Sequence, residues 1–226
     1  MVADPSLRHG DHVCIVCDTA EDQVRTIVEY VKNGLDTSER CVYAGTQRGA
    51  DHVCAALARA GLDVAAVRDS SRLLFWTTNE TYPPHDAFDP DLTIQALTAM
   101  TDEALSDSCT GLRIIGEMTW PLGGGHGRDR LLDYETKLGE FLAENRAHAL
   151  CQYVRERFPS PILYDVLRRH PMTLVGNAVC ANVYYEPPEL VGLPEGHERR
   201  VAHMLDVLFG DRLRAQERRS SSRIAG

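Results

Sequence analysis

Apolar and polar positions along the chain change period at regular intervals, and each change marks a secondary-structure element. "HVCIVC" at residues 12–17 reads as a short buried strand. The following "AEDQVRTIVEYVKNG" places Val24, Ile27, Val28 and Val31 on one helical face, with Gly34 expected as its stop. "RCVYAG" is a second strand, "ADHVCAALARAG" a helix ending at Gly61, and "RLLFWTT" a third strand. Asp89 and Pro90 open a helix through Leu105, because aspartate caps and proline suits a first helical turn. "LRIIGEM" follows as a buried strand, "DRLLDYETKLGEFLAENR" as the longest amphipathic helix, and "HALCQYVRE" as another strand. "SPILYDVLRR" is a further helix, "MTLVGNAVCANVYY" one or two closing strands, and residues 196 to 216 a final helix.

Strands alternating with helices predict an α/β fold in three layers, a mostly parallel central sheet with helices on both faces. Ligands in such sheets gather beyond the carboxyl ends of the strands. The stretches "YPPHDAFDP" and "PLGGGHGRD" read as loops, and "RAQERRSSSRIAG" as a frayed tail. Residues 1–190 are therefore expected to form one domain, with an amphipathic helix and a disordered basic tail in 191–226.

Composition narrows the functional classes. A net charge of -9 argues against direct binding of nucleic acid, whose phosphates are held by clustered Lys and Arg. No apolar run reaches the roughly 20 residues that cross a bilayer, and the first residues lack the basic and apolar pattern of a secretory signal, so a cytoplasmic protein is expected. Seven cysteines scattered through apolar segments suggest reduced, buried thiols rather than a disulfide framework.

Several residues break the pattern of their own element. Leu131, Glu135, Leu138 and Leu142 share one helical stripe, so Glu135 puts a carboxylate where an apolar residue belongs. Glu117 ends an otherwise apolar strand. Buried carboxylates need partners, which an arginine or a cap supplies as well as a ligand does. Period-two alternation sets Cys151 and Tyr153 on one strand face, and adjacent strand ends suggest that Glu117, Cys151 and Tyr153 line one cavity. His170 closes a helix, where a cation interacts favourably with exposed carbonyls. His12 and Cys14 share a face while Cys17 points away, so this strand alone cannot gather four metal ligands. A Cys–His pair from Cys151 and His170, or Cys14 and His12, has the chemistry of a nucleophile, but spacing does not fix its geometry. There is no G-x-x-x-x-G-K-[ST] loop and no G-x-S-x-G elbow.

Taken in order, "GDHVCIVCDTAEDQVRTIVEYVKNGLDTSERCVYAG", "LRIIGEMTWPLGG", "LLDYETKLGEF", "ALCQYVRERF" and "HPMTLVGNAVCANVYYEPPE" resemble the MEDS domain, the sensory module of methanogen and methylotroph regulators that include the dichloromethane-responsive repressor. The resemblance runs from about residue 8 to residue 190. It implies a RecA/KaiC-like fold without a P-loop and a role in sensing small hydrocarbon derivatives. The positions matching the family pattern are His12, Cys14, Glu117, Trp120, Glu135, Cys151, Tyr153, His170 and Asn182, whereas Cys17 stands where the family carries an aromatic. These residues are expected to form the wall of a ligand pocket.

The expectation is a non-catalytic sensory domain that binds a small molecule at the strand ends and signals to a regulatory partner of kinase, anti-sigma or transcription-factor type, with no output module after residue 190. A homodimer through the last helix is a further expectation. Two alternatives stay open: a degenerate nucleotide-binding ATPase relative with Glu117 in the acidic role, and a metal or haem sensor using His12, Cys14, Cys151 or His170. The cofactor is unassigned.

Overall fold

Seven strands form a single sheet in the order β3-β2-β4-β5-β1-β6-β7. The computed structural model describes residues 7–77, 88–119, 127–175 and 178–190. In chain order the elements are β1 (His12–Cys17), α1 (Ala20–Asp36), β2 (Arg40–Gly45), α2 (Gln47–Arg59), α3 (Val64–Asp69), β3 (Leu73–Thr77), α4 (Pro90–Ser106), β4 (Leu112–Glu117), α5 (Gly127–Glu144), β5 (Ala147–Val154), α6 (Ser160–Leu167), β6 (Met172–Val175) and β7 (Ala178–Ala181). The first six strands run parallel; β7 folds back antiparallel on β6 and closes the edge.

The layers follow from the side-chain alternation. One face of the sheet offers Val13, Ile15, Cys41, Tyr43, Ile115 and Leu150 to α1 and α2, and the other offers Cys14, Val42, Ile114, Cys151 and Tyr153 to α4, α5 and α6. Every residue of β4 and β5 is buried, which is why these two strands read as near-continuous apolar runs. Both faces are covered, so this is the expected three-layer α/β fold.

Local signals fix most boundaries. The Thr19 side chain accepts from the Asp22 amide to start α1, and Asp89 accepts from the Asp91 and Leu92 amides to start α4 one residue before Pro90. Gly61, at φ +84°, turns the chain after α2 as expected. Gly34 does not stop α1, which continues to Asp36, and the reversal falls at Ser38 with φ 62°. Glycine is needed at 34 for another reason: a Cβ there would lie 2.5 Å from the Arg113 Cδ and 2.7 Å from the Cys41 Sγ, so it lets the helix lie close on the sheet. The short helix α3 was not foreseen. The expected helix at 196–216, the "YPPHDA" stretch and most of "PLGGGHGRD" lie outside the described residues. Among the described residues no helix is long and apolar enough to cross a membrane.

Candidate functional site

The stripe of α5 buries its leucines and its glutamate alike, and the glutamate is the centre of a polar cluster inside the core. Glu135 is 1% exposed between Leu131 and Leu138, both fully covered. Its Oε2 lies 3.0 Å from the His12 Nε2 and 3.1 Å from the His170 Nε2. The Cys151 thiol donates to the same oxygen at 3.7 Å and lies 3.5 Å from the His12 Nε2. The Tyr153 hydroxyl donates to the other carboxylate oxygen.

Four elements build this arrangement. His12 opens β1, Cys151 and Tyr153 share the inner face of the neighbouring β5, Glu135 descends from α5, and His170 sits between α6 and β6. The His170 Nδ1 meets the Val166 carbonyl at 2.7 Å. A carbonyl only accepts, so the ring hydrogen is on Nδ1 and the Nε2 faces the cluster. Although close to Glu135, that Nε2 makes no directed hydrogen bond, and neither does the His12 Nδ1. The His12 and His170 rings lie 4.1 Å apart between centroids, tilted by 49°.

Burial sets the charge states. It lowers His12 to about 4, with the facing His170 acting in the same direction against the pull of Glu135, so His12 is a neutral imidazole. Burial alone would raise the Glu135 carboxyl, but the nearby His170 and the hydrogen bond from His12 outweigh it and hold the group below the usual carboxylate range. The Cys151 thiol and the Tyr153 hydroxyl are pushed well up, first by burial and then by the Glu135 charge.

His12 and Glu135 form the floor of a cleft of 460 Å³ between α5 and the chain that follows β7. Gly139, Ala143, Pro171 and Pro188 line its sides, and Glu140 and Arg169 its rim. The cleft opens beside Gly10 and Pro171, which precede β1 and β6, so it sits at the amino edge of those strands and not at the carboxyl ends where the sheet class led us to expect a ligand.

The other expected residues divide. Cys14 is fully buried on the same face, directly across from Cys151, but it stands outside the cluster of converging donor atoms. Asn182 does not reach the cleft floor. Its amide donates to the carbonyls of Leu167 and His170 at 2.6 and 2.8 Å, which fixes the turn that carries His170. Trp120 lies outside the described residues. Glu117 does not join Cys151 and Tyr153 in one cavity. It pairs in register with Gln152, and its side chain emerges on the α1 and α2 face, where it accepts from the Tyr43 hydroxyl at 2.6 Å and from the Thr46 amide and hydroxyl at 3.1 and 3.0 Å. A Cβ on Gly49 would lie 2.1 Å from the Tyr43 hydroxyl, so glycine there admits this bracket.

A second buried network escaped the sequence reading. Arg113 donates from Nε and Nη2 to the Glu39 Oε2, both at 2.7 Å; His148 donates from Nε2 to the Glu39 Oε1 at 2.9 Å; and Tyr30 meets the His148 Nδ1 at 2.9 Å. The available signal was an arginine and a histidine inside the apolar strands "LRIIGE" and "AHALCQYV".

The MEDS family model, described as the methanogen/methylotroph, DcmR sensory domain, matches residues 11–171. Among solved structures, the fold is similar to that of a KaiC-like protein from Pyrococcus horikoshii OT3, with TM-score 0.53, 13% identity, and 73% of this chain and 71% of that one covered. It is also similar to the flagellar accessory protein FlaH from Methanocaldococcus jannaschii, with TM-score 0.54, 12% identity and 76% of each chain covered. These likenesses bear out the RecA/KaiC-like architecture expected from the resemblance. No functionally curated protein matches the sequence.

Proposed function

The chain belongs to the MEDS family, a family of sensory domains, and from that premise we propose that it is a non-catalytic sensor which takes a small organic molecule into the cleft above His12 and Glu135 and signals to a regulatory protein in transcriptional control. The observation that carries this reading is the cleft itself. Its volume of 460 Å³ falls in the range of small-molecule sites, and its apolar sides lead to a few fixed polar groups on the floor. That mixture admits a hydrocarbon skeleton and orients one polar substituent.

Transmission follows from who supplies the walls. One wall is the long helix α5, and the other is the segment around Tyr185 and Pro188, which leads into the stretch where the sequence predicts an amphipathic helix. A ligand that binds both walls better in one arrangement shifts the population towards it. The partner is of kinase, anti-sigma or transcription-factor type, with a second copy of the chain as a further neighbour, and the setting is the cytoplasm. A nucleotide is disfavoured at the usual place after β1. Asp18 and Thr19 alone connect β1 to α1, and Glu21 and Asp22 occupy the first helical turn, so phosphates would meet carboxylates instead of a glycine cradle.

The test is thermal unfolding of wild type and Gly139→Leu against a panel of small halogenated and methylated hydrocarbon derivatives. A Cβ at 139 meets only the His12 Nδ1, at 3.5 Å, so a side chain is admitted there and leads into the cleft, and the variant's own cooperative unfolding transition checks that it folds. Stabilisation of wild type by a panel member, lost in Gly139→Leu, supports the reading. Equal stabilisation of both proteins refutes the cleft as the site.

A further inference from the structure

The donors that converge at and beneath the cleft floor have the composition of a metal site. We propose that His12, Glu135, Cys151 and His170 bind a first-row transition dication, with zinc the best match to the donor set. The donor atoms, two imidazole nitrogens, a carboxylate oxygen and a thiol sulfur, all lie within 4.8 Å of one another and come from fully buried residues. A tetrahedral ion held at about 2.0–2.3 Å would set its donors roughly 3.3–3.8 Å apart. Four of the six separations, 3.0 Å (His12 to Glu135), 3.1 Å (His170 to Glu135), 3.5 Å (His12 to Cys151) and 3.7 Å (Glu135 to Cys151), need shifts of only tenths of an ångström, and the other two, from His170 to His12 and to Cys151, lie within 4.8 Å.

Orientation points the same way. The Val166 carbonyl holds the His170 Nδ1 hydrogen and turns its Nε2 inward, and the Tyr153 hydroxyl holds the Glu135 oxygen that faces away from the other donors. Partners of this kind orient metal ligands and raise their basicity. The inward His170 Nε2 is a buried polar atom with no hydrogen bond, and buried polar atoms are rarely left so. A cation supplies what the protein atoms do not. Serine or alanine at 151 and apolar residues at 12 and 170 would have packed this core without any such demand.

The proton balance is simple. Binding the dication sends the Cys151 thiol proton to solvent and moves the His12 ring proton from Nε2 to Nδ1, which lies on the Gly139 side of the cleft. One dication against one carboxylate and one thiolate leaves no net charge in the core, so the cost of burying an isolated ion is avoided. The mixed nitrogen, oxygen and sulfur set suits zinc and its neighbours, and excludes calcium and magnesium, which take oxygen ligands.

The experiment uses the whole chain, stripped with chelator under reductant and titrated with Co(II). Expected are saturation at one equivalent, a thiolate-to-cobalt charge-transfer band, intense visible bands of tetrahedral cobalt, and displacement by Zn(II). Cys151→Ser removes the charge-transfer band, His170→Gln weakens binding roughly tenfold or more, and Cys14→Ser leaves the spectrum in place. Should Cys151→Ser not fold, the wild-type spectrum together with His170→Gln decides. Absence of the charge-transfer band in folded wild type overturns the proposal, as does a band that persists in folded Cys151→Ser. The sensory reading fails separately: an organic ligand that stabilises a wild type with no cobalt spectrum overturns the metal site alone. A cobalt spectrum without any organic response supports the metal site and counts against the organic sensor.

Discussion

Replacing Glu39 with alanine removes the only carboxylate bonded to Arg113 among the described residues and leaves a guanidinium inside the fold. Arg113 is 5% exposed, stacks over the Tyr30 ring at 4.4 Å, and directs Nη1 to the Tyr30 carbonyl at 3.2 Å, so it cannot swing out to water without breaking that packing. Stripping one partner from a buried ion pair costs about 3–5 kcal/mol. Thr37 adds little to this sum, because its hydroxyl, 2.9 Å from Glu39, is as near to the Asn33 carbonyl and can turn to it. Glu39→Gln should cost less, about 2 kcal/mol, through loss of charge alone. Its amide oxygen still meets Arg113. Its amide nitrogen donates to His148 once that ring moves its hydrogen to Nδ1, where the Tyr30 hydroxyl accepts it. The companion variant Arg113→Met keeps an apolar stem over Tyr30, and the double variant Glu39→Met/Arg113→Met leaves no charge behind, so its cost should fall below the sum of the single ones by about 2 kcal/mol or more. Urea unfolding followed by circular dichroism, with linear extrapolation, reads these differences. A Glu39→Ala cost under about 1 kcal/mol, or strict additivity in the cycle, would refute the reasoning.

Two further outcomes are expected. Acid should destabilise the protein in two stages. His148 and His12 are both lowered from 6.5, chiefly by burial, so the fold prefers each neutral and loses stability as pH drops below 6.5. Burial would raise Glu39, but the His148 hydrogen bond and charge and then Arg113 prevail and hold it at about 2 against 4.5, so its contribution is complete above pH 4.5 and is lost towards 2. Melting curves from about pH 7 to about pH 3 check both stages, and a lower stage that persists unchanged in Glu39→Gln would contradict the assignment. Gly139→Ala should stabilise α5 by about 0.5–1 kcal/mol, because the helix gains alanine's propensity and the new methyl meets the His12 ring at ordinary contact distance; a measured loss of stability in the same urea assay would show that the cleft floor is tighter than that contact implies.

The sequence by itself determined the elements and their layering, because these are local and periodic properties. Alternation of period two and period 3.6 located all the long helices of the described residues and the strands they connect. Thr19, Asp89 and Pro90 are start signals that act within one helical turn. The Glu135 stripe and the shared face of Cys151 and Tyr153 were legible for the same reason: a helix or strand face is fixed by residue spacing alone. Tertiary structure decided which faces meet. Glu117 and Cys151 both lie on strands of matching periodicity, yet nothing in that periodicity tells which face of β4 lies under α1 and which under α5, and the answer separates the two residues across the sheet. Gly34 read as a stop because a glycine's lack of a side chain is visible in sequence, whereas the Arg113 and Cys41 atoms that require it arrive from distant strands. The polar cluster itself joins His12 to Cys151, 139 residues away, and no local rule spans that separation. Parallel crossovers brought β1 beside β5 and β6, the Asn182 bracket set His170 over them, and only then did four residues that each break a local pattern become one site.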